Sequence, residues 1–451
     1  MKTDVLILGG GLAGLSTAHH LGGLGVRSRL VVEARGTVGG TAGSLKTGGF
    51  TFDFTGHLLH LHDPYGKKFI LGLLKDNVAA LERRAWIHSQ GAYTRYPFQA
   101  NTRGLPPAAV LDCVAGFLET VHRPRPPAKN PDFLAWSRAT FGDGITRHFM
   151  KPYNEKLWQT SLSRLTTEWQ GRFVPKPTAA EVLYGALVDQ NKLFGYNAAF
   201  LYPVRGGIQS LPDALAARLE PGVVRTGARV EAVDLREKVA RVAGLGEVRY
   251  ERLVNTLPLT DFLYLTSPLP AEVKAARRRL RYNTVWNLNL GVARADVTDK
   301  HWIYYPEKKY PFYRVGCSSN FSKKLAPKGH SALYVEVARP GGTRVDVPKL
   351  EASILKGLRE AGLLKRSDEL SARAWMPIKV GYVVYDFDRT PATTTIFRHL
   401  VQAGVESIGR YGAWKYSFME ETILDGKRCA QRLAGVASAP EAGPGELRSL
   451  K

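Results

Sequence analysis

The chain opens with an apolar run, Val5 to Leu8, that ends in a glycine cluster and gives way to apolar positions at helical spacing through Leu24. A second apolar run, Arg29 to Val32, stops at Glu33. Short apolar runs bounded by turn residues predict buried strands, and apolar residues three and four apart predict a helix with one buried face. The first segment therefore reads strand, turn, helix, strand. A proline-rich stretch, Pro124 to Pro131, predicts a linker. Helical spacing follows from about Phe133 to Leu193. Short β-like runs alternate with turns from Gly222 to Val254, and strand-like segments rich in Tyr, Trp and Val fill Tyr282 to Val337. A last helical segment spans about Ser417 to Leu433, and the Ala-, Pro- and Gly-rich tail after Gly435 predicts loose chain. No repeat period interrupts this order. The layout predicts an α/β protein: a Rossmann-like nucleotide-binding domain that the chain leaves and re-enters, with a helical insertion and an inserted antiparallel β-sheet domain.

Length agrees with such a composite. At about 150 residues per domain, 451 residues suggest three domains or one large multi-lobed unit. Apolar residues at 44% and charged residues at 23% exclude wholesale disorder. The three cysteines, Cys113, Cys317 and Cys429, are too scattered for a disulfide framework or a zinc site, which points to a reduced, cytoplasmic setting. No apolar stretch reaches the roughly 18 residues of a transmembrane helix. A net charge of +23 favours anionic partners but does not choose one. The densest basic cluster, Arg277 to Arg281, fits a solvated helix face, and no nucleic-acid-binding motif accompanies it.

The glycine cluster narrows the choice. Gly9, Gly11 and Gly14 form G-x-G-x-x-G between a strand and a helix. Gly9 permits the tight turn, Gly11 lets the backbone approach a pyrophosphate, and Gly14 allows close helix–strand packing. The helix N-terminus offers free N–H groups to phosphates, and Glu33 can accept from ribose hydroxyls. An acidic residue there disfavours a 2′-phosphate, leaving FAD or NAD. Glu33-Ala34-Arg35 followed by Val38-Gly39-Gly40-Thr41 resembles the extension found in glutathione-reductase-type flavoproteins, which selects FAD. Gly409-Arg410-Tyr411-Gly412 before the last helix is similar to the amine-oxidase branch of those flavoproteins, where a helix end faces the flavin.

Several further motifs, spread from about Lys2 to Leu433, resemble the UDP-galactopyranose mutase family, nearest its eukaryotic-type branch. Phe54-Thr55-Gly56-His57 is similar to the family's Gly-Gly-His loop beside the flavin, with Thr55 in place of the first glycine. His60 and His62 continue the alternation, but no Cys or Glu nearby completes a metal set. Tyr96-Pro97-Phe98-Gln99 resembles the segment whose Phe and Gln hold the uracil ring. Phe149-Met150-Lys151-Pro152-Tyr153-Asn154-Glu155-Lys156-Leu157-Trp158 is the most specific match, and it implies substrate contacts for Phe149, Asn154 and Trp158. Arg172 and Arg314 stand where the family clamps the diphosphate, a task suited to the planar guanidinium fork. Tyr304, Tyr382, Tyr416 and Asn197 match further substrate positions, and Arg205-Gly206-Gly207 resembles a flavin-proximal turn. Glu420 departs from the pattern, which has Asn there.

The resemblance implies an isomerisation of UDP-galactopyranose to UDP-galactofuranose without net redox change. Reduced flavin N5 attacks the anomeric carbon, UDP leaves, the ring opens and recloses, and UDP returns. The catalytic set so implied is His57, Arg172 and Arg314. The cofactor set is Gly9, Gly11, Gly14, Glu33, Arg35, Gly39, Gly40, Thr41, Gly56, His57, Arg205, Gly206, Arg410 and Gly412. The cofactor is FAD, active when reduced, with NADH or NADPH as candidate reductants. An oxidative flavoenzyme of the amine oxidase, protoporphyrinogen oxidase or desaturase type is the alternative, as is a mutase for another nucleotide sugar. The chain then divides into an FAD-binding domain (1–85, 195–265 and 396–435), a helical substrate domain (100–194), a β-sheet substrate domain (86–99 and 266–395) and a loose tail (436–451).

Overall fold

The computed structural model describes residues 1–124, 129–190, 192, 194–195 and 198–436, with the side chain of Arg172 outside the description. Two large sheets organise these residues. In the first, the strand Lys2–Leu8 lies between Arg29–Val32 and Gly246–Asn255, parallel to both. Leu6, Ile7 and Leu8 are wholly buried, as a central parallel strand covered on both faces requires. An antiparallel meander, Val230–Asp234, Val239–Val242 and Gly246–Asn255, extends this sheet on one side. The chain returns late to add Val405–Ser407 parallel to Gly246–Asn255.

The helix Leu12–Gly23 follows the first strand through the glycine turn. A Cβ on Gly14 would stand 2.1 Å from the Gly9 carbonyl oxygen, so only glycine lets this helix start so close to its own strand. The same helix packs against the terminal helix Met419–Leu433, bringing both ends of the described chain together.

The second sheet runs Leu370–Trp375, Tyr282–Val292, Ser331–Pro340, Arg314–Cys317, Trp302–Tyr304, Ala85–Ser89 and Ala92–Arg95, with Ile378–Val383 also paired to Tyr282–Val292. Tyr282–Val292 and Ser331–Pro340 pair antiparallel over ten positions, and the apolar side chains of one face form a core with Leu350, Ile354 and Leu358 of the helix Val347–Glu360. That helix, and Arg389–Gln402 after it, lie between Val337 and Ser417, a stretch to which the hydrophobic pattern assigns no element.

The helical segment comprises Pro107–His122, Phe133–Ile145, a π turn at Thr146–Met150, Lys151–Trp158 and Ala179–Leu187. It is broken more often than its spacing suggests. Gly142 adopts a φ of 78° inside Phe133–Ile145, where a Cβ would meet the Gly116 carbonyl oxygen at 2.1 Å. The loose tail predicted after Gly435 lies outside the described residues from 437 onward, as do 125–128 of the proline-rich linker. Among the described residues no helix is long and apolar enough to cross a membrane.

Candidate functional site

A single cavity of about 600 Å³ runs from the glycine turn of the first sheet to the edge of the second. Its first end is a cradle. Glu33 closes the second strand and turns back, its Oε2 accepting the Gly10 amide at 2.9 Å and its Oε1 the Arg35 amide at 2.9 Å. Arg35 donates to the Gly40 carbonyl at 2.6 Å, and Gly11 and Gly39 form a parallel bridge. Gly9, Gly11, Gly39, Gly40 and Thr41 all line this end with Glu33 and Arg35. The wall is nearly bare backbone at a helix N-terminus, which is the surface a pyrophosphate needs. An added Cβ on Gly10 would meet the Glu33 side chain at 2.9 Å, so the cradle also depends on that glycine.

Midway along the cavity lies the histidine segment. The His57 amide donates to the Thr55 carbonyl at 2.9 Å, and Thr55 Oγ1 stands 3.4 Å from His57 Nδ1. Burial, then the nearby Arg410 cation, pushes the His57 imidazole down to about 4, so it is neutral at pH 7. His60 packs its ring against Phe200 and Phe418. Among the described residues no group of three His, Cys, Asp or Glu side chains could hold a metal ion.

Aromatic rings and arginines dominate the far end. The π turn and the helix Lys151–Trp158 present Phe149, Tyr153, Asn154 and Trp158 to the cavity. Phe98, Phe149 and Tyr153 form a column of near-parallel rings at centroid spacings of 4.9 and 5.1 Å. Phe98 is fully buried behind Phe149 and does not reach the wall; Tyr96 and Gln99 of the same segment do. The Gln99 amide donates to the Pro175 carbonyl at 2.9 Å, while its own carbonyl oxygen has no partner among the described residues. From the second sheet come Tyr304, Arg314 and Tyr382, and from the chain before the last helix come Arg410 and Tyr416. Tyr382 and Tyr416 stack at 5.8 Å, with the Arg410 guanidinium 4.7 Å over the Tyr416 ring.

Arg314 is not free to swing. Its Nε donates to Glu336 Oε1 at 3.0 Å, and its Nη2 to Oε1 and Oε2 at 2.7 and 2.8 Å. Glu336 is fully buried and also accepts from the Tyr313 hydroxyl. A sequence signal for this partner exists: Glu336 is the one charged residue in the apolar strand core Ala332–Val337. Tyr153 and Phe173, the latter set edge-on against Tyr416 at 4.7 Å, are further wall residues that the motif reading does not single out.

Other expected site residues lie elsewhere. Arg205 and Gly206 are off the cavity wall. Arg205 pairs with Asp76 at 3.1 Å and accepts the Asn77 amide on its carbonyl at 3.0 Å. Gly206 lies against the Ser210 hydroxyl at the start of the helix Ser210–Ala216, and that hydroxyl donates to the Arg205 carbonyl at 2.7 Å. Gly412 lies in the short helix Gly409–Gly412, whose Gly409, Arg410 and Tyr411 reach the wall while Gly412 packs on the Asn255 carbonyl. Gly56 is on the wall beside Tyr334. Arg172 belongs to the turn Gly171–Phe173 but its side chain, like all of Asn197, is outside the described residues. Glu420 is buried and does not border the cavity.

The family model of flavin-containing amine oxidoreductases matches residues 12–434. The chain superposes on a solved structure of reduced UDP-galactopyranose mutase with a TM-score of 0.92 and 26% identity, covering 98% of each chain. A candidate protoporphyrinogen oxidase from Exiguobacterium sp. 255-15 gives 0.74 at 15% identity, covering 96% of this chain and 98% of that one. A double mutant of putrescine oxidase gives 0.66 at 17% identity, over 96% and 99%. At those lower identities the last two likenesses show the shared fold alone.

Proposed function

The chain belongs to the flavin-containing amine oxidoreductase family, and within it we propose that it is a mutase interconverting the pyranose and furanose forms of a UDP-sugar, with UDP-galactose as the first substrate to test. The observation that carries this reading is the continuity of one cavity. A dinucleotide cradle at one end opens directly into a chamber bordered by Arg314, Arg410 and eight tyrosines, with Gln99, Phe149 and Trp158 beyond. The arginine cations on this wall suit an anionic diphosphate and would repel an ammonium substrate, whereas tyrosines alone would serve either.

The residues present fit FAD. The Glu33 carboxylate is fixed at the ribose end by two backbone amides, and the glycine turn leaves room for a pyrophosphate. Gly9, Gly11, Glu33, Arg35, Gly39, Gly40 and Thr41 would hold it, while Gly14 is off the cavity wall and serves the packing of the helix on its strand. When bound and reduced, FAD supplies the electron pair that a pyranose–furanose exchange needs at the anomeric carbon.

The protein's own part is binding, orientation and charge. Arg314, held rigid by Glu336, with Arg172, Tyr304 and Tyr416, would keep the departing UDP in place until it recombines. The Phe149–Tyr153 end of the ring column would border the uracil while the Gln99 carbonyl oxygen reads its edge. Asn154 commits its amide N–H to the Met150 carbonyl at 2.7 Å, which fixes the side chain beside Trp158. His57, neutral at physiological pH, can accept or donate one hydrogen bond beside the sugar without adding charge. Tyr382 and Arg410 complete the chamber wall.

The test is product analysis. FAD-loaded protein reduced with dithionite under anaerobic conditions is expected to convert UDP-galactofuranose to UDP-galactopyranose over many turnovers, without stoichiometric electron use. Absence of the pyranose product, or oxygen uptake matched one-to-one with turnover in air, overturns the reading and favours an oxidase.

A further inference from the structure

Glu420 stands at the second position of the terminal helix Met419–Leu433 and is only 5% exposed, yet it does not border the cavity. Its Oε1 accepts the backbone amides of His62 and Asp63 at 3.0 and 3.1 Å, and its Oε2 accepts the His62 amide at 3.0 Å. Its Cγ seats against Gly66, where a Cβ would come within 2.8 Å. The two amides mark the exit of the 54–62 segment, whose Phe54, Thr55, Gly56 and His57 face the cavity. The middle of that segment is held by reciprocal backbone bonds between Leu59 and Leu201, at 3.0 and 2.9 Å. Just beyond the exit, Asp63 caps the helix Pro64–Leu74 by accepting the Gly66 amide at 2.7 Å. Without Glu420, two consecutive amides at this exit would lose their common carboxyl acceptor.

We propose that Glu420 is a positioning residue: its carboxylate fastens the exit of the His57 segment to the terminal helix, and so sets where the backbone of Gly56 and His57 sits against a bound flavin. The inference goes beyond the mutase reading. It rests on flavin binding, not on the identity of the sugar or on the isomerisation.

The experiment uses the full chain loaded with FAD. Hydrogen exchange of peptides covering 56–63 is measured with the visible flavin spectrum and the flavin-to-protein ratio. In Glu420→Ala, exchange in this segment should quicken roughly ten- to hundredfold, and the flavin bands should shift while the flavin ratio holds. Glu420→Gln should restore protection, because its carbonyl oxygen accepts the same amides. Glu420→Asp, one methylene shorter, should behave like the alanine variant. If Glu420→Ala fails to fold, the Gln and Asp variants carry the test: protection with wild-type flavin bands in the first, and lost protection with shifted bands in the second, support the proposal, and equal exchange or equal spectra in both overturn it. Wild-type flavin bands in Glu420→Ala, with or without faster exchange, also overturn it. A protein with the expected exchange pattern but no mutase activity leaves this inference standing and removes the mutase reading alone.

Discussion

Arg314 meets the cavity with two of its nitrogens already committed to a carboxylate that is wholly out of solvent. That arrangement changes what removing the arginine does. Arg314→Ala takes away a candidate diphosphate ligand and also strands Glu336 as an unpaired buried charge, a defect worth about 3–5 kcal/mol. The expected result is a marked fall in Tm together with at least about tenfold weaker UDP binding. The two effects separate in Arg314→Ala/Glu336→Gln. Neutralising the stranded carboxylate should return most of the lost stability, as read by thermal melting, and leave UDP affinity low in a titration of the reduced protein. If the double variant regains UDP binding, Arg314 is a structural residue and not a ligand. Arg314→Lys should rescue only in part, because an ammonium cannot span both carboxylate oxygens while facing a phosphate.

Two helices far apart in sequence, Leu12–Gly23 and Met419–Leu433, meet because small residues face each other. A Cβ on Gly426 would come within 2.6 Å of the Ser16 Cβ and 2.7 Å of the Ala13 carbonyl oxygen. Gly426→Ala must therefore push the terminal helix away from the cradle helix. Overpacking of this kind costs about 1–3 kcal/mol, so the expected result is a lower Tm with FAD retained less tightly, measured by thermal melting and by flavin loss on dilution. An unchanged Tm would mean that the helices adjust without strain. This contact also marks the limit of what the sequence makes legible. The strand–turn–helix–strand at the N-terminus is readable because its apolar runs and glycines are local, and the terminal helix is readable from its spacing. The helix Val347–Glu360, which the expected layout leaves out, does carry a local signal in its Asp346 cap and its Leu350, Ile354 and Leu358 spacing, whereas Arg389–Gln402 is obscured by the β-branched run Thr393–Thr395. Within the site, motif positions such as Glu33, Gln99, Asn154 and Tyr382 are legible, since each sits in a recognisable run. What local sequence cannot supply is the partner across the fold. Glu336 behind Arg314, Phe98 retreating behind Phe149, Arg205 turned to Asp76, and Glu420 turned to the His62 amide are all set by tertiary packing.

At the scale of the whole molecule, the buried titratable groups set how the fold answers to pH. Burial is the main reason that His20, His57 and His301 are each pushed down to about 4 from an ordinary 6.5. A histidine with a depressed folded pKa leaves the native state binding fewer protons than the unfolded chain between those two values. Its stabilisation is therefore present above about pH 6.5 and is lost as pH falls through about 4. Asp53 works in the opposite sense: burial raises its carboxyl to about 6 from 3.8 despite hydrogen bonds from Ser44 and Tyr202, so its stabilisation is present below 3.8 and lost as pH rises through about 6. Three histidines against one aspartate leave acid sensitivity dominant between about pH 6 and pH 4. His301 isolates one contribution, because it is only 1% exposed and lies outside the cavity wall. Its Nδ1 accepts the Arg84 amide at 3.1 Å, a role the carbonyl oxygen of asparagine can take over. Thermal melts from pH 8 to pH 4 should show the wild-type Tm falling steadily below about pH 6.5, and His301→Asn should fall less steeply. One titrating proton fewer corresponds to about 1.4 kcal/mol per pH unit within the window. Parallel melting curves for the two proteins would show that His301 takes up its proton without opening the fold, and would place the acid sensitivity on His20, His57 or the surface carboxylates.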